Sequence, residues 1–139
     1  MVDSGLYQLL LYLPENRQIT VGSKGLCNFA AGYYVYTGSA KRNLQARISR
    51  HIRRRKKVRW HIDYLTLHSV CLGHRAYLSP QFSECQLHAA TLKLTGAAMP
   101  VKGFGASDCS CFSHLVYFNL LNSSWRIFDS NFSKLIREL

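Results

Sequence analysis

The segment Gly5–Leu13, GLYQLLLYL, places the strongest constraint on the fold of this chain. Its nearly continuous apolar character predicts a β-strand buried on both faces or close to it, because a half-exposed strand would alternate apolar and polar residues. Residues 14–16 predict a turn, and residues 19–21 predict the start of a second short strand. We interpret residues 23–32 as a loop that contains a helical turn.

The predicted third strand, residues 32–38, leads into a helix at the start of the most basic stretch of the chain. Its β-branched and aromatic residues favour a pleated strand, and Gly38 ends it. Ser39 is then the predicted N-cap of a helix that begins near Lys41. One face of this helix is predicted to pack inward, because apolar residues recur every four positions, at Leu44, Ile48 and Ile52.

Arg47 and His51 lie four residues apart on a neighbouring face of the same helix. An arginine and a histidine stacked in this way, after a strand and a turn, could hold a phosphate group. A basic helix that simply faces solvent would show the same pattern, so the pair alone leaves both interpretations open.

The motif WHIDYL at residues 60–65 predicts a short helix or turn with three core-facing side chains, Trp60, Ile62 and Leu65. Core packing does not explain His61 and Asp63. These two residues either line a site beside His51 or hold the turn in place, and both hypotheses stand.

A strand is predicted over residues 70–79 and a helix over residues 81–95, with Ser83 near its start. Glu84 lies in the first turn of this helix, where a carboxylate either complements the helix dipole or binds a metal ion. The predicted buried stripe of the helix consists of Leu87, Ala89, Ala90, Leu92 and Leu94.

The remaining residues are predicted to form a Gly-rich loop, a strand over residues 114–120, a last strand over 125–128 and a short helix over 131–139. We find no internal repeat, linker or low-complexity segment. A chain of 139 residues is long enough to bury a proper core, so a single domain over residues 1–139 is predicted.

Positive charge is the clearest functional signal in the sequence. The net charge is +11, and ten of the eighteen Lys and Arg residues lie between Lys41 and Arg59, with no acidic residue among them. Such a cluster indicates a polyanionic partner, because each neutralised phosphate releases condensed counterions. A solvated or membrane-surface basic face is the alternative. Nucleic acid is favoured because Tyr and Arg interleave here without a Leu/Phe-faced amphipathic anchor.

The sequence predicts neither a signal peptide nor a membrane span, since no stretch of about eighteen apolar residues occurs. Five cysteines, an odd count without a secretory signal, predict reduced thiols. We therefore expect a soluble cytoplasmic protein, associated with the nucleoid if its source is bacterial or archaeal.

The order of the motifs resembles the GIY-YIG nuclease superfamily. Gly5-Leu6-Tyr7 precedes Tyr36-Thr37-Gly38, and the Arg47/His51 helix and a helix that begins near Glu84 follow. The closer resemblance is to the small stand-alone Uri-type endonucleases, through WHIDYL at residues 60–65, EC at 84–85 and GFGASDCSCFSH at 103–114.

Two features depart from the pattern of that superfamily. The gap between Tyr7 and Tyr36 is longer than the usual hairpin, which makes residues 21–32 an insertion at the rim of the expected site. Many members carry an Asn about a dozen residues beyond the metal-binding Glu, and this chain has GAA at residues 96–98.

The resemblance implies a small α+β domain. Its central, mainly antiparallel sheet would have about three strands, flanked by helices and extended by C-terminal strands and a helix. One Mg²⁺ or Mn²⁺ ion would be bound by Glu84, and Arg47 would contact the scissile phosphate. Tyr7 and Tyr36 would orient or activate a water molecule, while His51 would assist by hydrogen bonding.

The basic stretch is predicted to contact the nucleic-acid backbone rather than to distinguish bases, because a run of Lys and Arg makes charge contacts without fixed geometry. The predicted contacts are Lys41, Arg42, Arg50, Arg54, Lys56, Lys57, Arg59 and His61.

Cys109, Cys111 and His114 form a C-x-C-x-x-H motif, which would supply three of the four ligands of a tetrahedral zinc ion. Cys85 or His88 could be the fourth. We favour instead two half-buried thiols and a histidine at the start of a strand, because the spacing lies outside the usual zinc-ligand patterns.

The sequence and the resemblance together predict a metal-dependent DNA endonuclease, structure-selective or weakly sequence-selective, that acts in DNA repair or processing. The alternative is a non-catalytic module that keeps the nuclease scaffold and binds DNA or structured RNA. A zinc-dependent interaction domain is a weaker third hypothesis.

Overall fold

The computed structural model describes residues 3–53, 58, 60–78, 80–94, 96–100, 104 and 114–119. The described strands are β1 (Gly5–Leu13), β2 (Arg17–Thr20), β3 (Leu26–Phe29), β4 (Gly32–Ala40), β5 (Val70–Leu78), β6 (Ala97–Ala98) and β7 (Leu115–Phe118). The described helices are α1 (Leu44–Ile52), α2 (His61–Thr66) and α3 (Glu84–Leu92), and a 3₁₀ turn covers Gly22–Lys24.

The apolar strand β1 lies inside a five-stranded sheet of order β5-β1-β4-β7-β6. Every pair of neighbouring strands in this sheet is antiparallel. The predicted α+β class is therefore confirmed: β5, β1 and β4 form the central sheet, and β7 and β6 extend it with strands from later in the chain.

Helices cover both faces of β1, which explains why its sequence lacks alternation. Leu9 and Leu11 pack with α1 and α2 in the larger core cluster. Leu10 points to the opposite face, where the core includes Leu72 of β5 and Leu92 of α3. A strand enclosed in this way is stabilised by apolar side chains on both faces, because both faces are removed from water.

The insertion between β1 and β4 is a two-stranded antiparallel ribbon of β2 and β3. The predicted helical turn is present at Gly22–Lys24, but the loop predicted over the rest of residues 23–32 is wrong, because Leu26–Phe29 is a strand. Pairing with β2 supplies the backbone hydrogen bonds for this short segment. Phe29 is buried in the larger core cluster and anchors the ribbon.

Strand β4 continues through Gly38 to Ala40, so the predicted strand end at Gly38 and the N-cap at Ser39 are wrong. Gly38 lies opposite Tyr7 on β1, and a Cβ atom at Gly38 would lie closer than 3.0 Å to the Tyr7 ring and hydroxyl. This glycine therefore makes room for Tyr7 within a continuous strand.

Helix α1 begins at Leu44, after Asn43 in the left-handed conformation with φ 58°. Asn tolerates this conformation better than most residues. Asp3 accepts hydrogen bonds from the first free amides of the helix, those of Leu44 and Gln45. Leu44 and Ile48 are buried as predicted, whereas Ile52 is exposed because the helix ends there.

Helix α3 begins after the N-cap Ser83, whose hydroxyl accepts a hydrogen bond from the Gln86 amide. The predicted apolar stripe is wrong in part, because Ala89 and Ala90 are exposed while His88 and Thr91 are buried. Thr91 can be buried because its hydroxyl accepts a hydrogen bond of 2.7 Å from Gln8 and donates to the Leu87 carbonyl oxygen.

The strand predicted over residues 70–79 is confirmed as β5, and the one over 114–120 as the shorter β7. Residues 97–98, predicted as loop, form the short edge strand β6. The strand predicted over 125–128 and the helix predicted over 131–139 lie outside the described residues.

We predict that Gly38→Ala lowers the free energy of unfolding by about 1–3 kcal/mol, because the new methyl group overlaps the Tyr7 ring. Denaturant unfolding measures the change. In a Tyr7→Ala background the cost of Gly38→Ala should shrink, since the overlapping ring is gone.

Gly25→Ala is the matched control, because Gly25 has φ 77° and a methyl group added there would meet no atom of the described residues within 4 Å. Its cost, about 1–2 kcal/mol from backbone strain, should be the same with and without Tyr7. Equal behaviour of Gly38→Ala in the two backgrounds would contradict the assigned contact.

Candidate active site

A short contact between Tyr7 and His51 forms the centre of the candidate site. Tyr7 is on β1 and His51 is in the last turn of α1, and the phenol oxygen lies 2.8 Å from His51 Nε2. Each residue is only 2 % exposed. The helix brings His51 to Tyr7 because Leu44 and Ile48 pack the same side of α1 onto the sheet.

Tyr36 on β4 lies beside this pair, with ring centroids 6.2 Å from Tyr7 and 6.1 Å from His51. Burial raises the pKa of both phenols above the ordinary value, and the Glu84 carboxylate raises it further. The Arg47 guanidinium opposes this effect at both tyrosines. Both phenols are therefore protonated at neutral pH in the structure as it stands.

Ser39 connects Arg47 and Glu84, which belong to two different helices. Arg47 Nη1 donates a hydrogen bond of 2.6 Å to the Ser39 carbonyl oxygen. The Ser39 hydroxyl donates one of 3.0 Å to Glu84 Oε2. Ser39, which was predicted as a helix cap, thus joins an arginine, a residue type that binds phosphate, to a glutamate, a residue type that binds metal ions. The only sequence signal for this role was the position of Ser39 directly after the YTG motif.

Glu84 has a second partner in His114, at the start of β7. His114 Nδ1 lies 2.9 Å from Glu84 Oε1, and the Glu84 side chain keeps 24 % exposure. The carboxylate is therefore held in orientation by two neighbours while it remains accessible to solvent.

Asp63 of α2 is fully buried and connects α1 to the turn before α2. It accepts hydrogen bonds of 3.0 and 2.9 Å from the two Arg50 Nη atoms and one of 3.0 Å from the Trp60 amide. Its Oδ1 atom lies 3.8 Å from His51 Nδ1. Both hypotheses for Asp63 thus hold, since it fixes the turn before α2 and lies beside His51.

Trp60 packs against the two arginines of α1. The Arg47 and Arg50 guanidinium groups lie 5.0 and 4.4 Å from the centroid of its ring, within the range of cation–π contacts. The indole therefore restricts Arg47, which otherwise has a long and flexible side chain.

The predicted nucleic-acid contacts lie in different environments. Lys41 and Arg42 are exposed just before α1, and His61 is half-buried against Phe104, with its pKa lowered by burial and by Lys24. Arg50 is bound to Asp63. The others lie outside the described residues: Arg54, Lys56, Lys57 and Arg59.

The zinc motif is only partly described, because Cys109 and Cys111 lie outside the described residues. Cys85 is disulfide-bonded, so the prediction of reduced thiols is wrong for this residue, whereas Cys27 and Cys71 carry reduced thiols. Cys85 Sγ lies 3.8 Å from His114 Nε2. Within the described part of the chain, no group of three or more His, Cys, Asp or Glu side chains is arranged to hold a metal ion.

His88 is a buried histidine whose two ring nitrogens have no hydrogen-bond partner among the described residues. Its ring lies 5.9 Å from that of His114, and burial together with His114 lowers its pKa below 6.5. A buried polar group without a partner costs stability. A proton binds this histidine more readily in the unfolded chain, so its unfavourable effect grows as the pH falls below 6.5.

We predict that His88→Leu raises the free energy of unfolding by about 1 kcal/mol, because leucine needs no hydrogen bond. The gain should be larger at acidic than at alkaline pH, which urea unfolding on both sides of pH 6.5 measures. The control is His68→Leu, at an exposed position, which should change stability little. A loss of stability with His88→Leu at both pH values would contradict the assigned cost of the unpartnered imidazole.

A comparison with families of known proteins gives a match over nearly the whole chain. The model of the family described as domain of unknown function DUF123 matches residues 6–137, nearly the whole chain. Neither the curated proteins nor the solved structures gave a match. In the described residues, no helix has the length and apolar character needed to cross a membrane.

Proposed function

Since this chain belongs to the DUF123 family, a domain family of unknown function, we propose a function from the site itself. The protein is a metal-dependent endonuclease that hydrolyses phosphodiester bonds in DNA. It is structure-selective or weakly sequence-selective and acts in DNA repair or processing, in the cytoplasm or at the nucleoid.

The link through Ser39 carries this proposal. Phosphodiester hydrolysis needs a cation on the scissile phosphate and stabilisation of the leaving oxygen, next to an oriented water molecule. Arg47 and Glu84 both bond to Ser39, and two tyrosine hydroxyls lie in the same region. A basic surface helix without catalytic function would not require its arginine and a carboxylate to be bound by the same residue.

We further propose that the chain is a member of the GIY-YIG superfamily. The antiparallel pairing of β1 and β4 supports this, because it sets Tyr7 of the GLY motif directly opposite Gly38 of the YTG motif. The arrangement of Arg47 and His51 on the next helix, and of Glu84 at the start of α3, agrees with the residues that the resemblance implies.

The side chains present fit a magnesium or manganese ion at Glu84. The carboxylate is partly exposed, and its two present partners leave lone pairs on both oxygens. A single protein carboxylate is sufficient for Mg²⁺, which keeps several waters and takes substrate oxygens. When bound, the ion would supply positive charge next to the phosphate.

Arg47 is proposed to bind the scissile phosphate. One of its five N–H donors is used by the Ser39 carbonyl, which leaves the rest of its planar fork for phosphate oxygens. Tyr7 and Tyr36 orient the water molecule, and His51 receives a proton through its contact with Tyr7. Lys41 and Arg42 contact the DNA backbone beside the site.

The second candidate function is a nucleic-acid-binding module without catalysis, on DNA or structured RNA. One observation favours it: both carboxylate oxygens of Glu84 already have protein partners. The experiment below separates the two functions.

We predict that the protein cleaves DNA with Mg²⁺ or Mn²⁺, and that Glu84→Gln lowers the rate about 100-fold or more, because several kcal/mol of transition-state stabilisation are lost. Labelled flapped, bubbled, nicked and plain duplexes are the substrates, with structured RNA in parallel. Binding, measured by fluorescence anisotropy, should change little.

Glu15→Gln is the matched control, since Glu15 is an exposed acid in the turn after β1, and it should cut like the wild type. Tight, salt-sensitive binding without cleavage under either metal would refute the endonuclease and support the binding module.

We also predict that Arg47→Lys lowers the cleavage rate at least about 10-fold, because lysine cannot reproduce the planar, bidentate contact to phosphate. Arg42→Lys keeps the same charge at an exposed position and should retain both cleavage and binding. Equal rates for the two variants would show that Arg47 contributes charge alone.

A further inference from the structure

We infer that Asp63 is a positioning residue for the proposed hydrolysis. It keeps the proton of neutral His51 on Nδ1, so that Nε2 can accept the proton of Tyr7 when Tyr7 activates water. The three side chains form one buried series, Tyr7–His51–Asp63, that runs from the sheet through α1 to α2. The inference rests on the proposed function, which supplies the reaction.

The contact between Tyr7 and His51 requires a choice of tautomer. The phenol oxygen and Nε2 are 2.8 Å apart, so one proton lies between them. If Nε2 carries a hydrogen, His51 donates and cannot take a proton from Tyr7. If Nδ1 carries it, Tyr7 donates and Nε2 is a base. The neighbour of the other ring nitrogen decides which form is present.

Asp63 is that neighbour. Its Oδ1 lies 3.8 Å from His51 Nδ1, longer than a hydrogen bond but close for a charge at a site with almost no solvent exposure. A carboxylate there favours a hydrogen on Nδ1, and it stabilises the imidazolium that forms when Nε2 takes a second proton. Low exposure strengthens both effects, because little water screens the charge.

Arg50 keeps Asp63 ionised and fixed. The two Arg50 N–H groups and the Trp60 amide donate three hydrogen bonds to the Asp63 carboxylate. These hydrogen bonds stabilise the ionised form, so the histidine proton stays on His51. Asp63 thus orients and stabilises His51 without being protonated, as the aspartate of a Ser-His-Asp triad does.

The proposed step conserves protons and charge. A water O–H proton moves to the Tyr7 oxygen while the Tyr7 proton moves to His51 Nε2, and the water oxygen forms a bond to phosphorus. The bond from phosphorus to the leaving oxygen then breaks, and that oxygen takes a proton from solvent. Because burial raises the pKa of Tyr7, a relay is favoured over a free phenolate.

The test uses the variant Asp63→Asn. Oδ2 accepts from both Arg50 and Trp60, so the amide oxygen is expected there, which directs the amide nitrogen to the Oδ1 position beside His51. An N–H donor facing Nδ1 favours the opposite tautomer, with the hydrogen on Nε2. The control is Asp3→Asn, which removes one negative charge near the start of α1.

The first measurement is the tautomer of His51 in the free protein, from the ¹⁵N shifts of the imidazole, assigned by their loss in His51→Gln. We expect the Nδ1–H form in the wild type and in Asp3→Asn, and the Nε2–H form in Asp63→Asn. An Nε2–H tautomer in the wild type overturns the inference, even if Asp63→Asn fails to fold.

The second measurement is the pH profile of single-turnover cleavage. Asp63→Asn should slow cleavage about 10²–10⁴-fold with DNA binding retained, and should move the acid limb of the profile to lower pH. The limb moves because the imidazolium loses its adjacent negative charge. Among the described residues, the other titratable or charged groups near His51 are Tyr7 of β1, Tyr36 of β4, and Arg47 and Arg50 of α1, whose guanidinium groups lie on the Trp60 ring that contacts His51.

A folded Asp63→Asn variant with an unchanged tautomer and an unchanged acid limb overturns the inference, because a purely structural role would leave both in place. If the wild type cuts no substrate, the endonuclease proposal fails, and the relay fails with it as a catalytic step. The tautomer comparison still decides whether Asp63 controls His51.

Discussion

The close packing of Tyr7 onto Gly38 is the constraint on which the rest of the site depends. These residues face each other across β1 and β4, and only a glycine leaves space for the phenol. The ring then reaches across β4 toward α1, where it meets His51. A larger residue at position 38 would displace the phenol and with it the contact between the sheet and the helix.

Short polar links join the elements around this contact. Ser39 holds both Arg47 and Glu84, so α1 and α3 are coupled through the end of β4. Asp63 holds Arg50 and the turn before α2, next to His51. The links of Asp63 are buried and costly to break, because a broken one would leave a charged group without its partner. The links of Ser39 are exposed to solvent. Because these links join β4, α1, α2 and α3, the geometry of the proposed site depends on how all four elements pack together.

Some elements were predictable because local sequence determined them. The unbroken apolar character of β1 correctly indicated a strand covered on both faces, and Ser83 marked the start of α3. Other predictions failed where a distant residue decided the outcome. Gly38 looked like a strand end, but it lies within β4, which stays paired with β1, and its missing side chain leaves space for Tyr7. His88 and Thr91 are buried instead of Ala89 and Ala90, because α3 turns its polar residues toward Gln8 and His114.

The sequence by itself determined the class of the fold, the residue types of the candidate site and their order along the chain. The order of the motifs indicated the fold class and the candidate site residues through the resemblance, whereas periodicity and turn residues, which act over a few positions, indicated individual strands and helices. The tertiary structure decided which side chains meet: Tyr7 with His51 across 44 positions, and Ser39 with Glu84 across 45. It also decided that Asp63 lies beside His51, since strand register and helix packing bring together residues that no local pattern connects.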